Sequence, residues 1–174
     1  MTRRRLFEVL AIGLGNVMGL VLAIPGIAYF LDPLRKSAQA GGFESLTRLG
    51  QLQVGVPQSF AVIAARHDAW VNYPKEPIGS VWLIRQPAGV KPPVIAYTAE
   101  CPHLGCAVNL GKDGKSFLCP CHNSAFELDG KPTNAVPPRG MDTLDVELSK
   151  DDDPQVLVKF ARFRTMSKEK TPLV

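Results

Sequence analysis

Outside its first 36 residues this 174-residue chain has almost no surplus charge. Of a net charge of +4, +3 falls on residues 1–36, where Arg3, Arg4, Arg5, Arg35 and Lys36 face only Glu8 and Asp32. No basic face remains for a phosphate backbone, so nucleic acid is set aside as a partner despite a pI near 9.0. No stretch repeats with a period of 20 to 50 residues, which argues against a propeller or solenoid. A phosphate-binding loop is lacking too: Gly114-Lys115-Ser116 ends like one, but Asn109 stands where its first glycine is required, and the segment reads as a hairpin turn. The cysteines lack the C-x-x-C spacing of a thioredoxin, and Cys119-Pro120-Cys121-His122 is one residue short of a haem attachment site. Scattered glycines and prolines, 15 of each, argue against a coiled coil or helix bundle, and a 45% hydrophobic share argues against a disordered tail.

What is present begins with an uncharged run of 23 residues from Val9 to Leu31. As a helix it would reach about 34 Å, enough to cross a hydrocarbon core of roughly 30 Å. The expectation is one N-terminal transmembrane anchor over residues 1–31. A cleaved signal peptide is the competing reading, since Ala38-Gln39-Ala40 has the small-x-small look of a cleavage site, but the apolar run exceeds a signal's roughly 7 to 15 residues. Arg4-Arg5-Leu6-Phe7 resembles a twin-arginine export signal, and the three arginines alone also serve as a positive-inside marker. Both place the N-terminus in the cytoplasm and the rest of the chain on the extracytoplasmic side of a bacterial inner membrane. Gly15 and Gly19 form a G-x-x-x-G pair open to a neighbouring helix, and Pro25-Gly26 is an expected kink. Residues 32–45, with Pro33 and Gly41-Gly42, read as a flexible tether.

Residues 46–174 carry short strand signals: Leu52 to Val56, Phe60 to Ala65, Ile78 to Ile84, Val94 to Thr98, Phe117 to Cys119, Leu144 to Leu148 and Gln155 to Phe160. Turn signals separate them at Gln86 to Gly89, Pro92-Pro93, Asp113-Gly114, Asp129-Gly130 and Asp151 to Pro154. The fold expected is an all-β antiparallel head with a frayed tail from Arg162 to Val174. His67, between Arg66 and Asp68, reads as a solvated strand-end residue rather than a ligand.

All four cysteines and the other two histidines fall within 22 residues, as Cys101-Pro102-His103-Leu104-Gly105-Cys106 and Cys119-Pro120-Cys121-His122. Two Cys and two His at C-x-H and C-x-x-H spacing satisfy one tetrahedral Zn²⁺ or one [2Fe–2S] cluster, and either choice leaves two thiols over.

The pattern C-x-H-x-G-C followed by C-P-C-H-x-S resembles the two cluster-binding loops of the Rieske iron–sulfur proteins, over about residues 96–140. The anchor, tether and β head resemble the Rieske subunit of bacterial cytochrome bc-type quinol:cytochrome c oxidoreductases. The resemblance implies one Rieske [2Fe–2S] cluster in a small cluster-binding subdomain. Cys101 and Cys119 would hold one iron, His103 and His122 the other, and a Cys106–Cys121 disulfide would tie the loops. Ligand histidines also imply proton uptake coupled to reduction, with His103 or His122 meeting quinol and the resemblance favouring His122. Gly105 would allow close backbone approach, Leu104 would be an apolar cover or a buried loop leucine, and Ser124 would donate to a bridging sulfide.

Phe126 stands where many high-potential members have a tyrosine that donates to a cysteine ligand. A lower potential is therefore expected, suiting menaquinol. Asn123 replaces the usual glycine, and Ala135 to Arg139 departs from the family's G-P-x-P covering loop. The implied role is electron carrier within a larger enzyme, between a cytochrome b-type membrane subunit and a c-type cytochrome. The alternatives are the small Rieske subunit of a molybdenum oxidase such as arsenite oxidase, a soluble ferredoxin serving an oxygenase, which the span and the extra cysteines disfavour, and, distantly, a structural zinc module.

Overall fold

The computed structural model describes residues 2–35, 42–68 and 71–173, without the side chains of 33–35, 66–68 and 71–72. It divides into two units, Met1–Ala38 and Gln39–Val174.

The first unit is one helix, α1 (Arg3–Arg35), which runs unbroken through Pro25-Gly26. Its apolar side chains are exposed, Leu14 at 70% and Phe30 at 80%, with no polar stripe to mark a water-facing side. It is long and apolar enough to cross a membrane. The helix outlasts the expected span, and β1 begins at Phe43, so both ends of the expected tether are regular structure. Residues 36–41 between them lie outside those described, as does the Ala38-Gln39-Ala40 cleavage reading.

The second unit is antiparallel β, as expected. It contains β1 (Phe43–Arg48), β2 (Gln58–Asp68), β3 (Val71–Arg85), β4 (Val94–Thr98), β5 (Asn109–Leu110), β6 (Ser116–Leu118), β7 (Ala125–Glu127), β8 (Thr143–Leu148), β9 (Gln155–Lys159), β10 (Arg162–Phe163) and β11 (Pro172–Leu173). Six strands form one sheet in the order β1-β9-β8-β4-β3-β2, and its two outer strands touch, so the sheet curls almost into a barrel. Alternation explains the inward faces: Val156 and Val158 of β9 are fully buried while their neighbours are half-buried. With Val62, Val81, Leu83 and Val94 they form the main core.

β5, β6 and β7 make a separate three-stranded sheet with its own core of Phe117, Phe126, Val108, Tyr97 and Ile84. This is the small subdomain that carries the cysteine loops. Trp82 of β3 joins it to the main sheet: its indole N–H donates to Val108 O at 2.9 Å, and its ring lies 5.3 Å from that of Phe117.

Two expectations are corrected. Leu52 to Val56 is not a strand. A 3₁₀ turn over Leu49–Gln51 delivers Leu52 into the core, 2% exposed, and only Val54 bridges to Arg85. The tail is not frayed either, because β10 and β11 pair as a hairpin and Phe163 enters the main core. His67 lies in β2, with its side chain outside those described.

Candidate metal centre

The first loop leaves β4 through Ala99, whose N–H donates to Ser80 O, and returns through Val108, whose N–H donates to Ala99 O. Inside it Cys101 N–H bonds Cys106 O, and Gly105 N–H bonds Cys101 O, both at 2.8 Å. Gly105 has φ +78°, and a Cβ there would meet only a Thr165 methyl carbon at 3.7 Å. Glycine suits the left-handed turn there. Gly130 has φ +81° and the Tyr97 ring 2.7 Å from where a Cβ would sit.

The second loop joins β6 to β7 and closes with Cys119 N–H donating to Ser124 O at 2.8 Å. Asn123 turns the chain at φ +59°, a conformation asparagine tolerates better than most residues, which accounts for its standing in a glycine position. The Asn134 side chain fixes this turn by donating to Asn123 O at 2.7 Å.

The two loops meet. Cys106 and Cys121 are joined by a disulfide, with Cα atoms 6.5 Å apart. Cys101 and Cys119 are free and buried, each 2% exposed or less. The sulfurs of Cys106, Cys119 and Cys121 lie within 4.8 Å of one another, but the disulfide leaves Cys119 as the only thiol of the three. The imidazoles of His103 and His122 meet edge to face, centroids 4.9 Å apart. His103 is half-buried and His122 exposed. All six residues singled out from the sequence thus converge. Leu104 is 51% exposed, which rules out the buried-leucine alternative.

Three features fit a metal cluster. The Nδ1 atom of His103 is sealed from solvent without a hydrogen-bond partner, and the sealed Oγ atom of Ser124 has beside it the Cys101 thiol. An orphaned buried nitrogen costs about 1–3 kcal/mol, a cost that a bound metal would remove, and the hydroxyl stands where it can serve a ligand sulfur. Third, burial pushes the Cys101 thiol above its ordinary value, and the adjacent Cys119 adds to the rise. A thiol buried in this way is stabilised as a thiolate by a compensating cation.

Sequence reasoning missed the ion pair between Arg139 and Asp142, 10% and 4% exposed. The only signal was that Arg139 ends the stretch departing from the family's covering loop.

A curled antiparallel sheet bearing a small subdomain, whose two Cys–His loops are cross-linked at their tips, defines an iron–sulfur-binding β domain. The sequence model of the Rieske [2Fe-2S] domain matches residues 51–145, and the chain belongs to that family. Its cofactor is one Rieske [2Fe–2S] cluster, and the zinc reading falls away. The chain is 30% identical over 140 residues to the menaquinol:cytochrome c reductase iron-sulfur subunit of Bacillus subtilis (strain 168), covering 79% of this chain and 80% of that one. It is 29% identical over 161 residues to the cytochrome b6-f complex iron-sulfur subunit of Prochlorococcus marinus subsp. pastoris, covering 91% and 85%. Among solved structures, a cyanobacterial plasma membrane Rieske protein from Synechocystis PCC 6803 aligns with 32% identity and a TM-score of 0.38, over 49% of this chain and 81% of that one.

Proposed function

We propose that this chain is the Rieske electron-transfer subunit of a membrane-bound quinol:cytochrome c reductase. It accepts an electron and a proton from quinol beside a cytochrome b-type subunit and passes the electron to a c-type cytochrome. The observation that carries this reading is the pairing of an exposed His122 with a half-buried His103 above two buried, free thiols.

Cys101 and Cys119 are the ligands of one iron, His103 and His122 those of the other. When bound, the cluster supplies one-electron chemistry, and two neutral imidazoles in place of thiolates raise its potential into the range of roughly −150 to +300 mV. His122 is exposed, so the ring nitrogen not on iron would be free to accept a hydrogen bond from a quinol hydroxyl and hold the released proton. Leu104 stands exposed beside His103 and keeps water from the loop tips. Ser124 would donate its hydroxyl to a cluster sulfur. Phe126, fully buried, offers no donor at a place where a tyrosine hydroxyl would favour the reduced state, which fits a low-potential donor such as menaquinol.

α1 serves as the single anchor, with Arg3, Arg4 and Arg5 on the cytoplasmic side and the head outside. A head that serves two partners needs a joint, and the residues expected to supply it, 36–41, lie outside those described. The curated relatives are subunits of quinol-oxidising and cytochrome b6-f complexes, which favours this reading over a molybdenum oxidase subunit.

The test is EPR of membranes containing the full complex, poised with menaquinol and then with an oxidised c-type cytochrome. A Rieske signal that appears with quinol and vanishes with the cytochrome is expected. A signal indifferent to quinol would overturn the assignment.

A further inference from the structure

The family match ends at residue 145, yet the chain beyond it sends hydrogen bonds back to the first cysteine loop. The β10–β11 hairpin is closed by Arg164 N–H donating to Thr171 O at 2.8 Å. Its base is fixed by buried Phe163 and by Lys170, whose ammonium donates to Thr143 O at 2.7 Å and lies 4.8 Å from the Phe163 ring centre.

Its far end reaches the ligand loop. The Met166 N–H is shared between the carbonyls of Pro102 and His103, at 3.0 and 3.1 Å. Among the described residues it is the only backbone donor to either carbonyl. Met166 makes these bonds from φ +56°, a left-handed conformation that a methionine keeps only where the surroundings hold it. On the other flank of the same loop Arg162 pairs with Glu100 at 2.7 Å.

Arg139 supplies the hold. Its guanidinium forks onto both Asp142 carboxylate oxygens, at 2.8 and 2.6 Å. Two of its three remaining N–H groups donate to Ser167 O at 2.5 Å and Arg164 O at 2.9 Å, on either side of Met166. A buried ion pair is tolerable when its spare donors are used, and here two are used on the hairpin. A lysine would offer the charge without the fork.

We infer that Arg139 is a positioning residue: it locks the C-terminal hairpin, and the hairpin, through the Met166 amide, sets the orientation of His103 against His122. The inference rests on the reading of His103 as a cluster ligand. A ligand ring must be held to a fraction of an ångström, and the loop's own bonds, at Cys101, Gly105 and the disulfide, leave the Pro102–His103 carbonyls to the hairpin.

The test uses the full chain with its cluster in detergent. Arg139→Gln combined with Asp142→Asn removes both buried charges together. Hydrogen exchange is measured across residues 100–106 and 119–124, and the midpoint potential by EPR. Exchange at 100–106 is expected to quicken about tenfold, the weight of one charge-assisted hydrogen bond, with a shifted potential and unchanged exchange in β2, β3 and β4. Arg139→Lys is expected not to restore protection. Loosening of 162–171 with 100–106 still protected overturns the inference, as does a wild-type potential. Should the double variant unfold, Arg162→Ala, at an exposed site, decides: faster exchange at 100–103 supports the clamp and unchanged exchange refutes it. Failure of the ligand reading shows separately, as a wild-type EPR spectrum in a His103→Ala variant, and the exchange result then decides the clamp alone.

Discussion

The rings of His103 and His122 meet edge to face at 4.9 Å, yet they differ in what reaches them. Nδ1 of His103 is sealed, while His122 stands exposed at the end of the second loop. A reagent from solvent therefore meets His122 first. Treating the cluster-loaded protein with diethyl pyrocarbonate and mapping the adducts by mass spectrometry should show His122 modified well ahead of His103. Equal labelling would remove the basis for assigning His122 to quinol.

The Cys106–Cys121 disulfide joins the two loops and closes a separation of 15 residues. A cross-link over such a span is worth about 3 kcal/mol, and native ones about 2 to 5. Cys106→Ser should lower stability by that amount in denaturant melts and speed loss of the visible absorbance in the presence of a chelator. Retention equal to wild type would show that the loops hold without it.

Phe126 is fully buried, paired across β6–β7 with Phe117. Phe126→Tyr places a phenol in the core beside the cysteine loops, where a hydroxyl donating to a ligand sulfur favours the reduced cluster. The midpoint potential should rise in a redox titration, at a cost of about 1–3 kcal/mol from crowding. An unchanged potential would refute the idea that the missing hydroxyl tunes this protein.

Much of this was legible in the sequence because the chemistry is carried by rare residues. Histidine and cysteine number only three and four, so their crowding between Cys101 and His122 has few explanations. Short continuous apolar runs bounded by turn signals, such as β4 and β9, could likewise be read directly. β5, β7, β10 and β11 could not: two or three residues carry no periodicity, and these strands exist because tertiary contacts recruit them. β3 extends beyond its apolar run through Pro74 and Pro77, and the register shift opposite Val62 and Ile63 skips Ile78, next to Pro77. The Met166 amide left no trace in the sequence, since its partners are backbone carbonyls of a loop more than sixty positions away.

Tyr97, in β4 of the six-stranded sheet, packs into the core of the three-stranded sheet, 2% exposed, with its ring 6.3 Å from Phe117 and against Gly130. Burial pushes its phenol up to about 12, and the nearby Asp129 carboxylate adds to the rise. Unfolded, the same phenol ionises near 10. Below pH 10 both states hold the proton and Tyr97 adds no pH dependence. Between about pH 10 and 12 the unfolded chain gives up a proton that the folded chain keeps, so stability falls as pH rises, by on the order of 2 kcal/mol in all. Urea melts across this window should show a steeper alkaline loss for wild type than for Tyr97→Phe. The difference between their tyrosinate absorbance titrations should be centred near pH 12 in folded protein. Parallel stability curves, or a difference centred at the unfolded value, would mean that this ring is solvated and that the join between the sheets is looser than its packing implies.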